Sequence, residues 1–155
     1  LGDVYKRQGL YSEKPHDYYQ LMTRLKNKIS GARDELPAPI MREEKELELG
    51  IIYLGSMENT IQEIDDILAA NAITVSQCRI RALPAHSEIE KFIARHKQTV
   101  ILEINRDGQL YGILRKEYPI ELVEKMHSVA YSDGMPPRAK IYAEMIIEIL
   151  QGEEK

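Results

Sequence analysis

The chain has 155 residues, of which 43% are hydrophobic and 30% charged, and its formal net charge is −4. This composition is typical of one globular domain. Its longest apolar runs are far shorter than the roughly 20 residues of a membrane span. Its basic residues are too scattered to track a phosphate backbone, so we expect neither a membrane nor a nucleic acid as a partner.

Residues 1–8, LGDVYKRQ, contain neither an initiator methionine nor the apolar core of a signal peptide. The stretch from Asp3 to Gln8 can be back-translated as GAT GTG TAT AAG AGA CAG. That string resembles the transposon end sequence used to prepare shotgun sequencing libraries. We interpret residues 1–8 as non-native adapter sequence and expect the genuine protein to be cut upstream of Gly9. A disordered native N-terminus is the alternative.

Residues 17–36 are predicted to form a long amphipathic helix, because apolar side chains recur every three or four residues. These are Tyr18, Leu21, Met22, Leu25, Ile29, Ala32 and Leu36. Pro37 and Pro39 end the helix, and a charged segment without pattern follows. We interpret residues 9–48 as a connector helix with a proline-rich linker, and residues 49–155 as the domain itself.

The domain alternates apolar strands with amphipathic helices. Strands are predicted over residues 49–54, 73–83, 100–102 and 126–131, and helices after Ser56, after Ser87, over 109–118 and over 137–150. The strand at 73–83 is polar on both faces and is expected at or near a sheet edge, whereas 100–102 is expected to be central. Alternating elements predict an α/β fold, with three α/β/α layers and a mostly parallel sheet of four to five strands.

Ligands of such folds bind beyond the carboxyl ends of the strands. The polar loop after the central strand is therefore the best candidate site, with ordinary turn chemistry as an equal alternative; its residues are Asn105, Asp107, Gly108 and Gln109. The Gly55-Ser56 turn lacks the pattern of a phosphate-binding loop, and Ser56 is interpreted as a helix cap.

Two further groups are candidates for an interface. Arg79 and Arg81 lie on the same side of a predicted strand, where they could meet an anion, a partner carboxylate or only solvent. Asp133 and Gly134 belong to a turn between the last strand and the last helix. No nucleophile–base pair is evident, so no catalytic residue is assigned.

The sequence offers few candidate ligands for a metal ion or a redox centre. Cys78 is the only cysteine, which excludes an internal disulfide, favours a reducing, cytoplasmic compartment and is read as a buried inert thiol. An iron–sulfur cluster usually takes four thiolates, so this chain cannot bind one by itself. The four histidines lack metal-ligand spacing and are read as surface or capping residues.

Five motifs in order resemble the α subunit of the 2-oxoacid:ferredoxin oxidoreductases, most closely the two-subunit 2-oxoglutarate or branched-chain type. They cover the chain from about residue 17 to its end. LKNKISGARDELPAP resembles the connector and linker before the last domain. LGIIYLGS, RIRALP, VILEINRDGQL and SVAYSDGMPPRAKIYAEMI resemble successive strands and turns of that domain. The last domain is similar to the C-terminal domain of transketolases, whose role is largely packing and subunit assembly.

The resemblance implies an oxidative decarboxylation in which thiamine diphosphate attacks the 2-oxoacid, ferredoxin takes the electrons and coenzyme A takes the acyl group. It places the diphosphate, magnesium and iron–sulfur sites in a β subunit and the pyrimidine site upstream in the α subunit. The isolated fragment is then expected to be inactive. We expect a substrate or coenzyme A channel to be lined by Asn105, Asp107, Gly108 and Gln109. We expect an interface with a partner at Arg79, Arg81, Asp133 and Gly134.

Two other interpretations stay open. One is the equivalent domain of a transketolase or of the E1β chain of a 2-oxoacid dehydrogenase, which act without ferredoxin. The other is a stand-alone flavodoxin-like module that binds a small anion or a partner protein. The pocket that selects the 2-oxoacid is expected outside this chain.

Overall fold

The structure is a computed structural model that describes residues 9–45 and 48–152. The interpretation of residues 1–8 as adapter sequence lies outside the described residues. Strands are β1 (Ile40–Arg42), β2 (Leu49–Leu54), β3 (Val75–Ile80), β4 (Gln98–Glu103) and β5 (Met126–Ala130). Helices are α1 (Pro15–Ala32), α2 (Ile61–Ala70), α3 (Ser87–Arg95), α4 (Gln109–Glu117), α5 (Ile120–Val123) and α6 (Ala139–Gly152).

The five strands form one sheet in the order β1-β3-β2-β4-β5. Strands β2 to β5 are mutually parallel, and only β1 runs antiparallel, against β3. The predicted α/β class, the mostly parallel sheet and the preceding long helix are therefore confirmed. The strand order reverses between β2 and β4, the kind of position where ligands of open α/β sheets bind.

Strand β1 lies in the segment that the sequence predicts to be a linker. Its three residues are too few to show an alternation, and only Met41 is partly buried among them. Flanking ion pairs hold the strand in place, Arg42 to Asp65 of α2 and Glu43 to Arg95 of α3. The sheet therefore begins before residue 49, and β3 lies one strand in from the edge.

Helices cover both faces of the sheet because the strands are apolar on both faces. In β2, Ile51 packs in the cluster with α2 and α6, whereas its neighbour Ile52 packs in the cluster with α3 and α4. Both side chains are fully buried, which stabilises the fold by roughly 1.5–3 kcal/mol each.

Close approach between α3 and the sheet depends on Gly50 of β2. A Cβ added there would lie 2.6 Å from a ring carbon of Phe92 and 3.1 Å from Cγ of His96. The two rings lie side by side, with centroids 4.2 Å apart. His96 is completely buried and its Nδ1 lies 2.7 Å from the carbonyl oxygen of Phe92, so the reading of every histidine as a surface or capping residue was wrong here.

Two predicted helix caps are replaced by neighbouring residues. Ser56 lies in a 3₁₀ turn, Gly55–Asn59, and α2 starts only after Thr60. At the start of α3 the cap is the ring of His86, whose Nδ1 accepts a 3.2 Å hydrogen bond from the amide of Glu88. The spacing of Ser87 and Glu90 in the sequence predicts a capping box with Ser87 as the cap, and this prediction is wrong because His86 takes the cap position.

The four-residue spacing of Ile141, Met145 and Ile149 predicts that these residues form the buried face of α6, but the structure buries a different face. Ile141, Met145 and Ile149 are only half-buried, while Tyr142, Ala143 and Ile146 are completely buried. The aromatic residue turns inward because its hydroxyl finds backbone partners, which are described below.

Helix α1 is anchored through the short 3₁₀ turn that follows it, Arg33–Glu35. Arg33 forms a 2.8 Å ion pair with Glu117 of α4, and Asp34 accepts a 3.2 Å hydrogen bond from the amide of Ser87. No described residue of α1 is buried. Its apolar side chains Tyr18, Met22, Leu25 and Ile29, the α1 stripe, are 49, 45, 39 and 58% exposed.

Among the helices of the described residues, none is both long and apolar enough to cross a lipid bilayer.

Candidate functional site at the carboxyl edge of the sheet

Four chain segments meet where the parallel strands end. They are the 3₁₀ turn after β2, Arg79 with the residues after β3, the loop between β4 and α4, and the turn between β5 and α6. The topology therefore brings the sequence-predicted site and interface residues to the same edge of the sheet.

In the loop between β4 and α4, Asn105 organises the backbone. Its Oδ1 accepts hydrogen bonds from the amides of Asp107, at 3.0 Å, and Gly108, at 2.7 Å. Such an Asx turn is a common structural use of asparagine. The Asn105 side chain is thus engaged within the loop.

Glu103, the last residue of β4, caps the start of α4. Its Oε1 accepts a 2.6 Å hydrogen bond from the amide of Leu110, and its Oε2 accepts a 3.0 Å bond from the amide of Tyr111. Asn105 Nδ2 donates the third hydrogen bond to this carboxyl group, to Oε1 at 2.9 Å. The residue is 4% exposed. Sequence reasoning missed it, and the available signal was a charged residue closing an otherwise aliphatic central strand.

This cap changes what the loop can bind. The start of a helix attracts anions because its first amides lack partners. At α4 two of those amides already donate to the carboxyl group of Glu103. A phosphate at this helix end would have to displace a buried side chain of the same charge sign.

Gly108 is required by the backbone. Its φ is +60°, and an added Cβ would lie 2.8 Å from Oγ of Ser128 on β5. The remaining two candidates of the loop, Asp107 and Gln109, are exposed. Asp107 is paired to its neighbour Arg106, whose Nε lies 2.7 Å from Oδ1.

Arg79 and Arg81 do reach the carboxyl edge, but the structure does not bring their guanidinium groups together on one anion. Arg79 lies 3.4 Å from Oε1 of Glu58. Arg81 is exposed and donates a 3.5 Å hydrogen bond to the carbonyl oxygen of Ala38. Each arginine therefore has a protein acceptor of its own.

Glu58 also accepts a 2.8 Å hydrogen bond from the hydroxyl of Tyr53. Burial, and then this bond, raise the pKa of Tyr53, so its hydroxyl stays protonated and acts as a donor. Tyr53, Glu58 and Arg79 thus form a small polar cluster beside β2 and β3.

Asp133 organises the turn between β5 and α6. It accepts hydrogen bonds of 3.1 Å from both the amide of Met135 and the hydroxyl of Tyr131, and it pairs with Arg138. The bond from the Met135 amide is the main cause that lowers the pKa of Asp133. Gly134 is exposed beside it.

Tyr142 of α6 links the end of β4 to the turn that follows β5. Its completely buried side chain places the hydroxyl 2.9 Å from the carbonyl oxygen of Tyr131 and 3.2 Å from that of Glu103. One phenol thus fixes the ends of β4 and β5 to the last helix. Sequence reasoning missed this residue.

The expected buried thiol is confirmed. Cys78 is completely buried on the α3 side of β3, and burial raises its pKa to about 12. Among the described residues, no group of three or more His, Cys, Asp or Glu side chains converges on a point where a metal ion could bind.

Searches with the sequence find no matching protein-family model and no matching curated protein. Solved structures do match. One is 2-oxoglutarate:ferredoxin oxidoreductase from Magnetococcus marinus, a structure with 2-oxoglutarate, coenzyme A and succinyl-CoA bound. That match has a TM-score of 0.77 and 22% identity, and it covers 96% of this chain.

A split-gene transketolase, described as an inactive β4 tetramer, matches with a TM-score of 0.53 and 18% identity over 72% of this chain. This chain spans 26% of the oxidoreductase chain and 41% of the transketolase chain. At these identities the likeness shows the fold, which this chain shares with a part of each of the two proteins.

Proposed function

We propose that this chain is the C-terminal part of the α subunit of a 2-oxoacid:ferredoxin oxidoreductase with 2-oxoglutarate as its substrate. In the proposed reaction the 2-oxoacid loses carbon dioxide, its acyl group passes to coenzyme A, and two electrons reduce ferredoxin one at a time. The extent of the likeness is what supports the proposal. The match with the oxidoreductase takes in 96% of the chain, so it includes most of α1 as well as the sheet, whereas the transketolase match takes in 72%.

Within that enzyme we propose that this domain serves packing and subunit assembly in the cytoplasm. Among the described residues, the polar groups at the carboxyl edge are mostly bonded to one another, as in the Glu103 and Asp133 clusters. The residues present do not fit an iron–sulfur cluster, because the single thiol is buried and its pKa is raised to about 12. We therefore assign the cluster, the magnesium and the diphosphate of thiamine to a β subunit, and derive no step through them here.

The channel assignment of Asn105, Asp107, Gly108 and Gln109 is part of this proposal. Its support is their place after β4, beside the reversal of strand order. Gln109 gives the cleanest test because it is exposed, whereas replacing Asn105 also disturbs the loop backbone. We expect Gln109→Ala in the full complex to raise KM for 2-oxoglutarate or coenzyme A. Unchanged KM and turnover, with Asn105→Ala also unchanged, would contradict the assignment.

The interface assignment rests on exposure at the same edge. Arg81, Asp133 and Gly134 are exposed, and Arg79 is half-buried. We propose that they meet the β subunit. Arg81→Glu is then expected to weaken copurification of the two subunits, with Arg115→Glu, exposed on α4, as the matched control.

The intact genomic locus and one assay test the whole proposal. The reading frame is expected to encode a thiamine pyrimidine-binding domain upstream, and the adjacent gene a cluster-binding subunit. The coexpressed subunits are expected to reduce ferredoxin only when both coenzyme A and 2-oxoglutarate are supplied, with pyruvate and branched-chain 2-oxoacids as comparison substrates. A transketolase, the second candidate given the matching fold, predicts no cluster-binding neighbour and no ferredoxin reduction.

A further inference from the structure

Basic side chains border the α1 stripe on both sides. At 3.6 residues per turn, Lys26 lies beside Met22 on one border, and Lys28 lies with Arg24 on the other. These three exposed residues are called the border cations below. Within residues 9–45 and 48–152, no carboxylate forms an ion pair with any of them. Their counter-charges must therefore come from outside the described part of the domain.

The face of α1 opposite the stripe is polar but contains no lysine, arginine or carboxylate. Its side chains are His16, Gln20, Thr23, Asn27 and Ser30. A helix that lies on an anionic bilayer has lysine and arginine across its polar face, whereas here they occur toward the stripe. The chain outside α1 is also acidic, because α1 holds three cations against Asp17 alone while the net charge of the chain is −4. Both observations favour a protein partner over a membrane.

This pattern specifies the chemistry of the surface that covers the stripe. A protein interface has an apolar centre and a polar rim, and opposite charges across the rim orient the two surfaces. The stripe provides the apolar centre and the border cations provide a basic rim on each side. The complementary surface is therefore an apolar groove with Asp or Glu along both edges. A second α1 helix does not offer this, because its one acidic residue, Asp17, already accepts a hydrogen bond from Ser12.

The proposed function places most of the polypeptide before Gly9, since this chain spans 26% of the matched oxidoreductase chain. Residues 9–14 separate that upstream part from the first residue of α1 and reach at most about 20 Å. The 18 residues of α1 extend over about 27 Å. The upstream part would thus be held beside the stripe at a high effective concentration.

We propose that α1 docks, through its stripe and its border cations, into an apolar groove edged with carboxylates on the upstream part of the same polypeptide. This inference rests on the proposed function, which supplies the upstream part. Burial of the stripe would give most of the affinity, and the border cations would select the acidic groove. The connector helix is then a clamp between two parts of one subunit.

Carbodiimide cross-linking of the full-length α subunit tests the contact directly. The reagent activates a carboxylate, and the amine of a nearby lysine then forms an amide with it while the carboxylate oxygen leaves in the urea product. We expect Lys26 and Lys28 to be joined to Asp or Glu upstream of Gly9 within one molecule. Lys116, exposed on α4, is the control and should give no such product. Cross-links from Lys26 and Lys28 only to the β subunit or to a second, isotope-labelled copy would overturn the proposal.

Hydrogen exchange tests whether the groove covers α1. The helix has no described buried residue, so its amides should exchange quickly in the 155-residue chain. They should exchange about tenfold or more slowly in the full-length subunit, because opening must then undo the docking as well. Equal rates in the two proteins would overturn the proposal.

Charge variants of the full-length subunit test the selection by charge. Lys26→Glu with Lys28→Glu reverses both borders and should return the α1 amides toward the fast exchange of the short chain. Gln20→Glu with Asn27→Glu adds two carboxylates on the opposite face and is the matched control, which should keep the protection. A double border variant as protected as this control would contradict the acidic groove. Cosedimentation of the 155-residue chain with phosphatidylserine–phosphatidylcholine vesicles would assign the stripe to lipid and also overturn the proposal.

These results are separable from the test of the proposed function. Ferredoxin reduction by the complex without protection or upstream cross-links of α1 would remove the docking alone. Upstream cross-links in a complex that does not reduce ferredoxin would keep the docking and remove the function.

Discussion

Glu103 and Leu110 are joined across the start of α4, where Oε1 of the glutamate accepts a 2.6 Å hydrogen bond from the leucine amide. Together with the bond from Tyr111, this contact satisfies two amides that the helix leaves open. Glu103→Ala should lower the free energy of unfolding by about 2–4 kcal/mol, because hydrogen bonds to a charged acceptor contribute roughly 1.5–3 kcal/mol and buried amides lose their partner.

Urea unfolding followed by circular dichroism measures this effect. Glu148→Gln, an exposed change on α6, is the control and should stay within about 0.5 kcal/mol of the native chain. A loss for Glu103→Ala no larger than that of the control would show that the cap contributes little.

Gly108→Ala should destabilise the fold. The positive φ of +60° costs a residue with a Cβ about 1–2 kcal/mol, and the contact with Ser128 Oγ at 2.8 Å adds to that. Gly112→Ala, within α4, is the control. Apart from its chain neighbours and the backbone of its own helix, no atom lies within 4 Å of its added Cβ, so the change should stabilise α4 by roughly 0.5–1 kcal/mol. Equal effects of the two changes on the urea midpoint would contradict this account.

Cys78 should resist alkylation until the chain unfolds. Burial raises its pKa from 9.0 to about 12, which leaves about a thousandfold less thiolate near pH 8 than an unshifted thiol has. The rate of modification by iodoacetamide should therefore rise at least a hundredfold in denaturing urea. Comparable rates for native and unfolded chains would contradict the burial.

The raised pKa of Cys78 also sets the direction of a stability change with pH. Below pH 9.0 the thiol is protonated in both states, and above it only the unfolded chain ionises until the pH approaches about 12. The contribution of this group is thus fully present below pH 9.0 and is lost as the pH rises through that window. Cys78→Ala should reduce the slope of the unfolding free energy between pH 9 and 10.5, after its constant cavity cost is subtracted.

Asp133 should contribute an acid-dependent part of the stability. Its pKa is lowered from 3.8, mainly by the bond from the Met135 amide, so its contribution is present above pH 3.8 and is lost as the pH falls below it. The native chain should therefore be more stable than Asp133→Asn at pH 6, and the difference should shrink by pH 3. Urea unfolding at the two values measures both chains, and a gap that does not change with pH would refute the prediction.

Local aliphatic patterns explain which elements the sequence predicts well. Strand β2 begins and ends at the predicted residues, and α4 begins at Gln109 as expected, because a buried run and a polar loop mark these boundaries. Strand β1 escapes prediction because its stability comes from pairing with β3 and from ion pairs to two helices. Those partners are distant in sequence.

The position of the loop after β4 is easier to predict from the sequence than the contacts that hold it. The sequence points to the loop after β4, and Asn105 and Gly108 indeed shape that loop. The residues that hold it from outside are Glu103, which reaches seven and eight positions ahead, and Tyr142, which comes from another helix. Contacts of this range leave no periodicity in a single sequence, so they become visible only in the folded chain.

The missing side chain at Gly50 has a consequence for how this domain can diverge. Since even a methyl group there would collide with the Phe92 ring, positions 50 and 92 form a volume-coupled pair across the layer boundary. Homologues that acquire alanine or serine at the first position are expected to carry a smaller residue at the second. Correlated substitutions at these two positions would then reflect how closely α3 packs against the sheet.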